Sequence, residues 1–163
     1  MESAGILELQ RASISAFSIS AIDSAAPYRR GICKQRQYLG GYDMYKHGYK
    51  PKLSQQQFDE MLKSHDEYLR TAGRAGTKLC VIGKDLRSVD AVGADLRHAV
   101  FINCNMTGAK FSFVNMFGAM IEDCLLQSTE LFGSQLVKVH IPGTNLSQAH
   151  LTLANVHIYT DSN

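Results

Sequence analysis

No run of apolar residues in this chain approaches the roughly twenty that a helix needs to cross a bilayer. The first residues also lack the basic start and continuous apolar centre of a secretory signal. Both absences point to a cytoplasmic protein with no membrane span. Cysteine is sparse, and Cys33, Cys80, Cys104 and Cys124 show no CxxC spacing. That excludes a disulfide framework and the common zinc signatures, and leaves four reduced thiols as the expectation. Equally absent are a phosphate-binding glycine–lysine loop, a serine nucleophile elbow and a dinucleotide fingerprint. No catalytic, metal-binding or cofactor-binding residue is assigned, no cofactor is expected, and the chain is read as a non-enzyme.

What is present is enough for an ordered core. Of 163 residues, 45% are hydrophobic and 20% charged, which is not the composition of a disordered chain. The net charge of +2 hides an asymmetry. From Leu79 onward Lys84, Arg87, Arg97, Lys110 and Lys138 stand against Asp85, Asp90, Asp95, Glu122, Asp123, Glu130 and Asp161. The second half is thus slightly acidic and the first half basic, much of the excess lying between Arg29 and Lys52.

The second half has a period of five. Stepping from Val81 to Val156 in fives meets Leu86, Ala91, Leu96, Phe101, Met106, Phe111, Met116, Ile121, Leu126, Leu131, Leu136, Ile141, Leu146 and Leu151, every one apolar. The residue two before each is small or β-branched almost throughout, as at Ala94, Cys104, Ala119, Cys124 and Thr144. Asp or Asn often lies between, and glycine recurs two after, at Gly83, Gly93, Gly108, Gly118, Gly133 and Gly143. Such a period fits neither a helix nor a strand. It suits a chain that turns every five residues, with glycine where the corner needs freedom in φ.

These residues resemble the pentapeptide-repeat family, whose consensus is close to Ala-Asp/Asn-Leu-x-x, over about half of the chain. The resemblance implies a mainly β fold, a right-handed quadrilateral β-helix or pentapeptide solenoid of about four coils, capped by a short N-terminal α-helix. Residues twenty apart would then stack, Phe101 on Ile121 on Ile141 and Cys104 on Cys124. His140 and His150 would fall on opposite walls, unable to share a metal, and Asp85, Asp90 and Asp95 would spread round three faces, not converge as acid–base pairs do.

The helix is legible before the repeats. Ser54 is a good N-cap, Gln57 completes a capping box, and Leu53 with Phe58 forms a hydrophobic staple. Phe58, Met61, Leu62, His65 and Leu69 follow as one apolar stripe, and Gly73 and Gly76 mark the exit. The expected division is an arm over 1–52, the helix and a linker over 53–78, and the repeats over 79–163. Within the arm, the serine-rich stretch Met1–Ser24 resembles a bacterial type III secretion signal, or reads as a mobile arm or a strand pairing along the repeats. The stretch 27–52 is basic and tyrosine-rich, with Arg29, Arg30, Lys34 and Arg36 as a candidate basic patch for nucleic acid.

Outward apolar residues supply the functional expectation. Ile82, Val100, Ile102 and Met120 on one face, and Phe113, Phe132 and Phe117 on others, are candidate partner-binding residues. The chain is read as a protein–protein interaction or scaffold module, as a bacterial effector or a phage-encoded factor, of unidentified partner. Ile158 and Tyr159 are candidate contacts of a homodimer formed through the last coil. The alternatives are a DNA-mimicking protein that binds gyrase or topoisomerase, which the family resemblance brings in, and nucleic-acid binding through 29–52.

Overall fold

The computed structural model describes residues 50–158. The arm up to residue 49, with Arg29, Arg30, Lys34, Arg36 and Cys33, and the last five residues, with Tyr159, lie outside the described residues.

Helix α1 spans Gln55–Arg70. Its start is built as the residues dictate: the Ser54 side chain accepts from the Gln57 backbone N–H, and the Gln57 side chain accepts from the Ser54 N–H. The helix ends at Thr71, and Gly73 and Gly76 follow with φ of +80° and +71°. Its apolar stripe faces the repeats, Phe58 and His65 being fully buried and Met61 and Leu62 packed against the core. Just ahead of the helix, the Leu53 N–H donates to the Asp85 carbonyl at 2.9 Å and the Asp85 N–H to the Pro51 carbonyl at 3.0 Å. The chain thereby enters as a first rail alongside the repeats.

Five short strands follow: β1 (Cys80–Ile82), β2 (Val100–Ile102), β3 (Met120–Glu122), β4 (Gln135–Val139) and β5 (Asn155–Ile158). They make a three-stranded sheet in the order β1-β2-β3 and a two-stranded sheet, β4-β5, all parallel. The register is a twenty-residue offset, Val81 beside Phe101 beside Ile121 and Leu136 beside Val156. Elsewhere neighbouring segments meet through single parallel bridges at the same offset, such as Asp85–Asn105–Leu125–Asn145 and Asp90–Lys110–Glu130–His150.

The quadrilateral β-helix expected from the family resemblance is therefore corrected. Among the described residues regular strand is confined to two separate small sheets, and their architecture is a mostly parallel, open arrangement of a few strands and one short helix, not a closed, curled solenoid. The physical reason lies in the corners. Every fifth residue from Gly93 to Leu153 takes a positive φ, including the non-glycines His98, Asn103, Phe113, Asp123, Ser128, Lys138, Gln148 and Leu153. Extended backbone is interrupted before ladders can lengthen into continuous walls. Even β4 carries a register shift between Val137 and Val139, at Lys138.

The periodic apolar residues nonetheless form one core. Leu86, Leu96, Phe101, Met106, Phe111, Met116, Ile121, Leu126 and Leu131 are buried. The small column packs beside them, and where it turns polar the hydroxyls are satisfied. Thr129, Ser134 and Thr144 donate to the carbonyls of Met106, Phe111 and Ile121 at 2.9, 2.7 and 2.7 Å. Each of these three groups thus avoids the cost of a buried, unpaired hydroxyl.

Candidate interaction surface

Chemistry-bearing side chains of the described residues do not converge. Among the described residues no group of three or more His, Cys, Asp or Glu is placed to hold a metal ion. No described helix is long and apolar enough to cross a membrane. Asp85, Asp90 and Asp95 each support their own turn, Oδ1 accepting from the backbone N–H two residues on at 3.1, 3.2 and 3.2 Å. Arg87 and Arg97 pair with Asp85 and Asp95 at 2.7 Å, and Lys110 reaches Asp90 at 3.9 Å. The Arg87 bonds hold the Asp85 carboxyl below the usual range. At Asp95 burial acts to raise it, but the Arg97 bonds prevail and leave it lowered.

Cys104 and Cys124 sit one above the other in the small column. The Cys104 N–H donates to Cys124 Sγ at 3.3 Å, and Cys104 Sγ donates to the Val81 carbonyl at 3.4 Å. Both are fully buried. Burial first, and the neighbouring Cys104 second, push the Cys124 thiol well above its usual value, which marks a packing residue and not a nucleophile.

The apolar surface divides into two kinds. Of the outward candidates, Phe113 is 58% exposed and Phe132 37%, and Val92 and Leu153 beside them are 53% and 76% exposed. All four belong to one face. The Phe113 N–H donates to the Phe132 carbonyl at 2.7 Å, the Gly93 N–H to Ser112 at 2.9 Å and the Gly133 N–H to Thr152 at 3.0 Å. Val92 and Phe132 thus share one twenty-residue column, and Phe113 and Leu153 the adjacent one. The two rings meet edge to face, centroids 5.2 Å apart at 85°. Phe113 lies over Gly133, where an added Cβ would come within 2.7 Å of the ring. The result is an apolar ridge rising through four successive segments, flanked by the exposed column Asp90, Lys110, Glu130 and His150.

Ile82, Val100, Ile102 and Met120 behave differently. Val100 and Ile102 are only 2% and 1% exposed, grouped with Cys80 apart from the main core, while Ile82 and Met120 pack partly buried against them. Phe117 lies on another face, half-buried, with His98 edge-on at 5.9 Å and Lys138 Nζ 5.4 Å from its ring centroid. The structure therefore brings Phe113 and Phe132 together, keeps Phe117 separate, and encloses Val100 and Ile102. Ile158 ends β5.

Sequence reasoning missed Leu153. Its signal was available, because a large apolar residue at the corner position otherwise held by glycine occurs at Phe113 and again at Leu153. Leu125, 38% exposed on a different column, stands where the repeat favours Asp or Asn and was also missed.

Comparison with known proteins gives one assignment. The profile for pentapeptide repeats matches residues 85–127 with eight copies. No curated protein sequence matches. Among solved structures the chain is similar to Rfr23, a pentapeptide repeat protein from the cyanobacterium Cyanothece, at 22% identity over 48% of this chain and 56% of that one, with a TM-score of 0.28. It is also similar to HetL, a pentapeptide repeat protein involved in heterocyst differentiation regulation in the cyanobacterium Nostoc, at 23% identity over 50% of each chain and a TM-score of 0.33. A third likeness is to QnrB1, a plasmid-mediated fluoroquinolone resistance protein, at 20% identity over 44% of this chain and 55% of that one, with a TM-score of 0.31. The matched stretches span only about half the length of those proteins.

Proposed function

Because this chain belongs to the pentapeptide-repeat family, we propose that it is a non-enzymatic protein-interaction module that docks a partner protein on the ridge of Val92, Phe113, Phe132 and Leu153. The carrying observation is the exposed edge-to-face pair of Phe113 and Phe132. Two aromatic rings held rigidly in solvent bury large area on contact and lose little conformational freedom in doing so. The choice of residue at the corners points the same way. Phe113 and Leu153 hold φ of +59° and +58°, a conformation that costs a bulky residue of order 1–3 kcal/mol, and glycine occupies the same column at Gly93 and Gly133. The corner itself imposes this φ, as it does at His98, Lys138 and Gln148; what sets Phe113 and Leu153 apart is that a large apolar side chain stands exposed there.

The flanking charges add selectivity. Asp90, Lys110 and Glu130 alternate in sign beside the ridge, so a complementary partner would carry an apolar strip edged by mixed charge. This pattern is unlike the surface of a nucleic acid, and the pairing of Asp85 and Asp95 with arginines removes the unbalanced negative column that imitation of DNA would need. As a scaffold, an effector or a phage-encoded factor the chain would use the same ridge.

The test is a comparison of captured partners. Wild type, Phe113→Ser/Phe132→Ser and Leu125→Ser would be used as bait in bacterial lysate, each checked for equal urea stability. A partner retained by wild type and Leu125→Ser and lost from the double variant is the expected result. Retention by all three would sink the assignment of the ridge.

A further inference from the structure

The ridge has the form of a surface that can meet its own copy. It rises through four successive segments held in twenty-residue register. Its corner column runs Gly93, Phe113, Gly133, Leu153, small and large in turn. The flanking column runs Asp90, Lys110, Glu130, His150, acid and base in turn, all exposed. Turned end for end, each column presents its opposite: large where small stood, and base where acid stood. Such a surface is complementary to itself about a two-fold axis, which is the condition for an isologous contact.

One axis satisfies both columns. It lies in the plane of the face, across the columns and midway between the second and third segments. Rotation about it keeps each column opposite its own counterpart and reverses the direction of the stack. Lys110 then faces Glu130 of the second copy, and Asp90 faces His150, so each acid receives a cation or a ring N–H donor. Leu153, 76% exposed, enters the space over Gly93 of the second copy, where an added Cβ would meet nothing within 4 Å. Phe113 leans over Gly133 in its own chain and so lies beside the axis, where the rings of the two copies come together. The spacing between segments is the same in both copies, which keeps the pairs in step along the contact. Slipping the copies by one segment sets Lys110 against Lys110 and Asp90 against Glu130, and facing like charges disfavour that register.

We propose that the ridge is the contact of a homodimer in which two copies lie side by side with their stacks reversed, joined by Phe113 and Leu153 beside a row of Lys110–Glu130 and Asp90–His150 pairs. This rests on the ridge being the docking face, and names the partner as a second copy of the chain. It is distinct from a junction through Ile158 at the last segment. Four segments at the interstrand spacing and five residues of width make about 300 Å² on each copy. That is small beside the roughly 800 Å² per partner of a standard stable interface, so the dimer is a weak one, formed in the micromolar range.

Sedimentation velocity of the full chain across the micromolar range is expected to show a monomer–dimer equilibrium. Lys110→Glu and Glu130→Lys should each weaken association by about tenfold or more, because each sets like charges opposite one another. Mixing the two variants should restore the dimer, since every charge then meets its opposite. The double variant Lys110→Glu/Glu130→Lys should associate like wild type for the same reason, and Ile158→Glu should leave association unchanged. A monomeric wild type overturns the second copy as partner; the ridge then keeps its docking role only if Phe113→Ser/Phe132→Ser still loses a captured protein. A dimer indifferent to the charge variants or to Phe113→Ser/Phe132→Ser also overturns the proposal, and loss on Ile158→Glu alone overturns it by assigning the contact to the last segment. Should the charge variants fail to fold in urea melts, crosslinking with the native charges decides. In Cys33→Ser protein, where Cys80, Cys104 and Cys124 are buried, Ser112→Cys beside the ridge should give a covalent dimer with a short bis-maleimide. Ser147→Cys, on a different column, should give none. Any other pattern overturns the proposal.

Discussion

Phe58 of the helix meets Phe111 of the repeats edge-on, ring centroids 6.5 Å apart at 81°. Phe111 meets Phe101 in the same way, at 6.3 Å and 89°. Phe111 belongs to a column that continues through Leu131 and Leu151 but begins with Ala91, whose small side chain leaves room where the helix docks. The helix is thus joined to the repeats by an aromatic chain that runs into the core.

Phe58→Ala should accordingly cost about 3–5 kcal/mol, the range for emptying a buried aromatic site. The position is fully buried, and Ala91 and Phe111 are held by backbone bonds that limit collapse into the void. Urea melts check this. A loss below about 1 kcal/mol would show that the helix contributes little to the fold.

Much of this arrangement was legible in the residues. The capping box at Ser54 and Gln57, the buried stripe, and the stacking of Cys104 on Cys124 are all present. The twenty-residue register of Phe101 beside Ile121 is as the family resemblance implies. What the period of five does not encode is how far strands extend, because this depends on corner geometry at every fifth residue. Side chains as different as His98, Phe113 and Lys138 adopt the left-handed conformation there, which composition alone does not announce. Nor could the alternation of inward and outward residues separate Phe113, which is exposed, from Ile102, which is covered. Burial of an outward residue is set by what lies across it, not by its place in the repeat.

His65 gives the fold a predictable response to acid. Its Nδ1 accepts the Leu79 N–H at 3.0 Å, which puts the ring proton on Nε2, a buried atom with no hydrogen-bond partner among the described residues. Burial lowers its pKa, against opposing effects from Asp95 and the Arg97 backbone. The unfolded chain takes up this proton near 6.5 and the folded chain only at lower pH. Between those points the unfolded state binds more protons, so stability is full above about pH 6.5 and declines as pH falls. Urea midpoints should show wild type losing more stability between pH 7.5 and 5.5 than His65→Gln, whose amide oxygen can still accept from Leu79. Equal losses would show that His65 does not set the acid response.

Phe113 allows stability and binding to be separated. At φ +59° the phenylalanine pays for an unfavourable backbone, so Phe113→Gly relieves strain of about 1–2 kcal/mol. Against that stand the added freedom of glycine in the unfolded chain, about 0.4–1 kcal/mol, and the lost edge-to-face contact with Phe132, about 0.5–1.5 kcal/mol. The terms nearly cancel, and the variant should keep its urea midpoint within about 1 kcal/mol of wild type while losing partner capture. Gly133→Ala is the opposite case. It forces a Cβ into left-handed backbone at φ +64° and to within 2.7 Å of the Phe113 ring, so it should destabilise by about 1–2 kcal/mol and tilt the ring. Urea melts of the two variants beside wild type check the pair. A large stability loss in Phe113→Gly would show that the ring serves the fold and would count against its role on a docking surface.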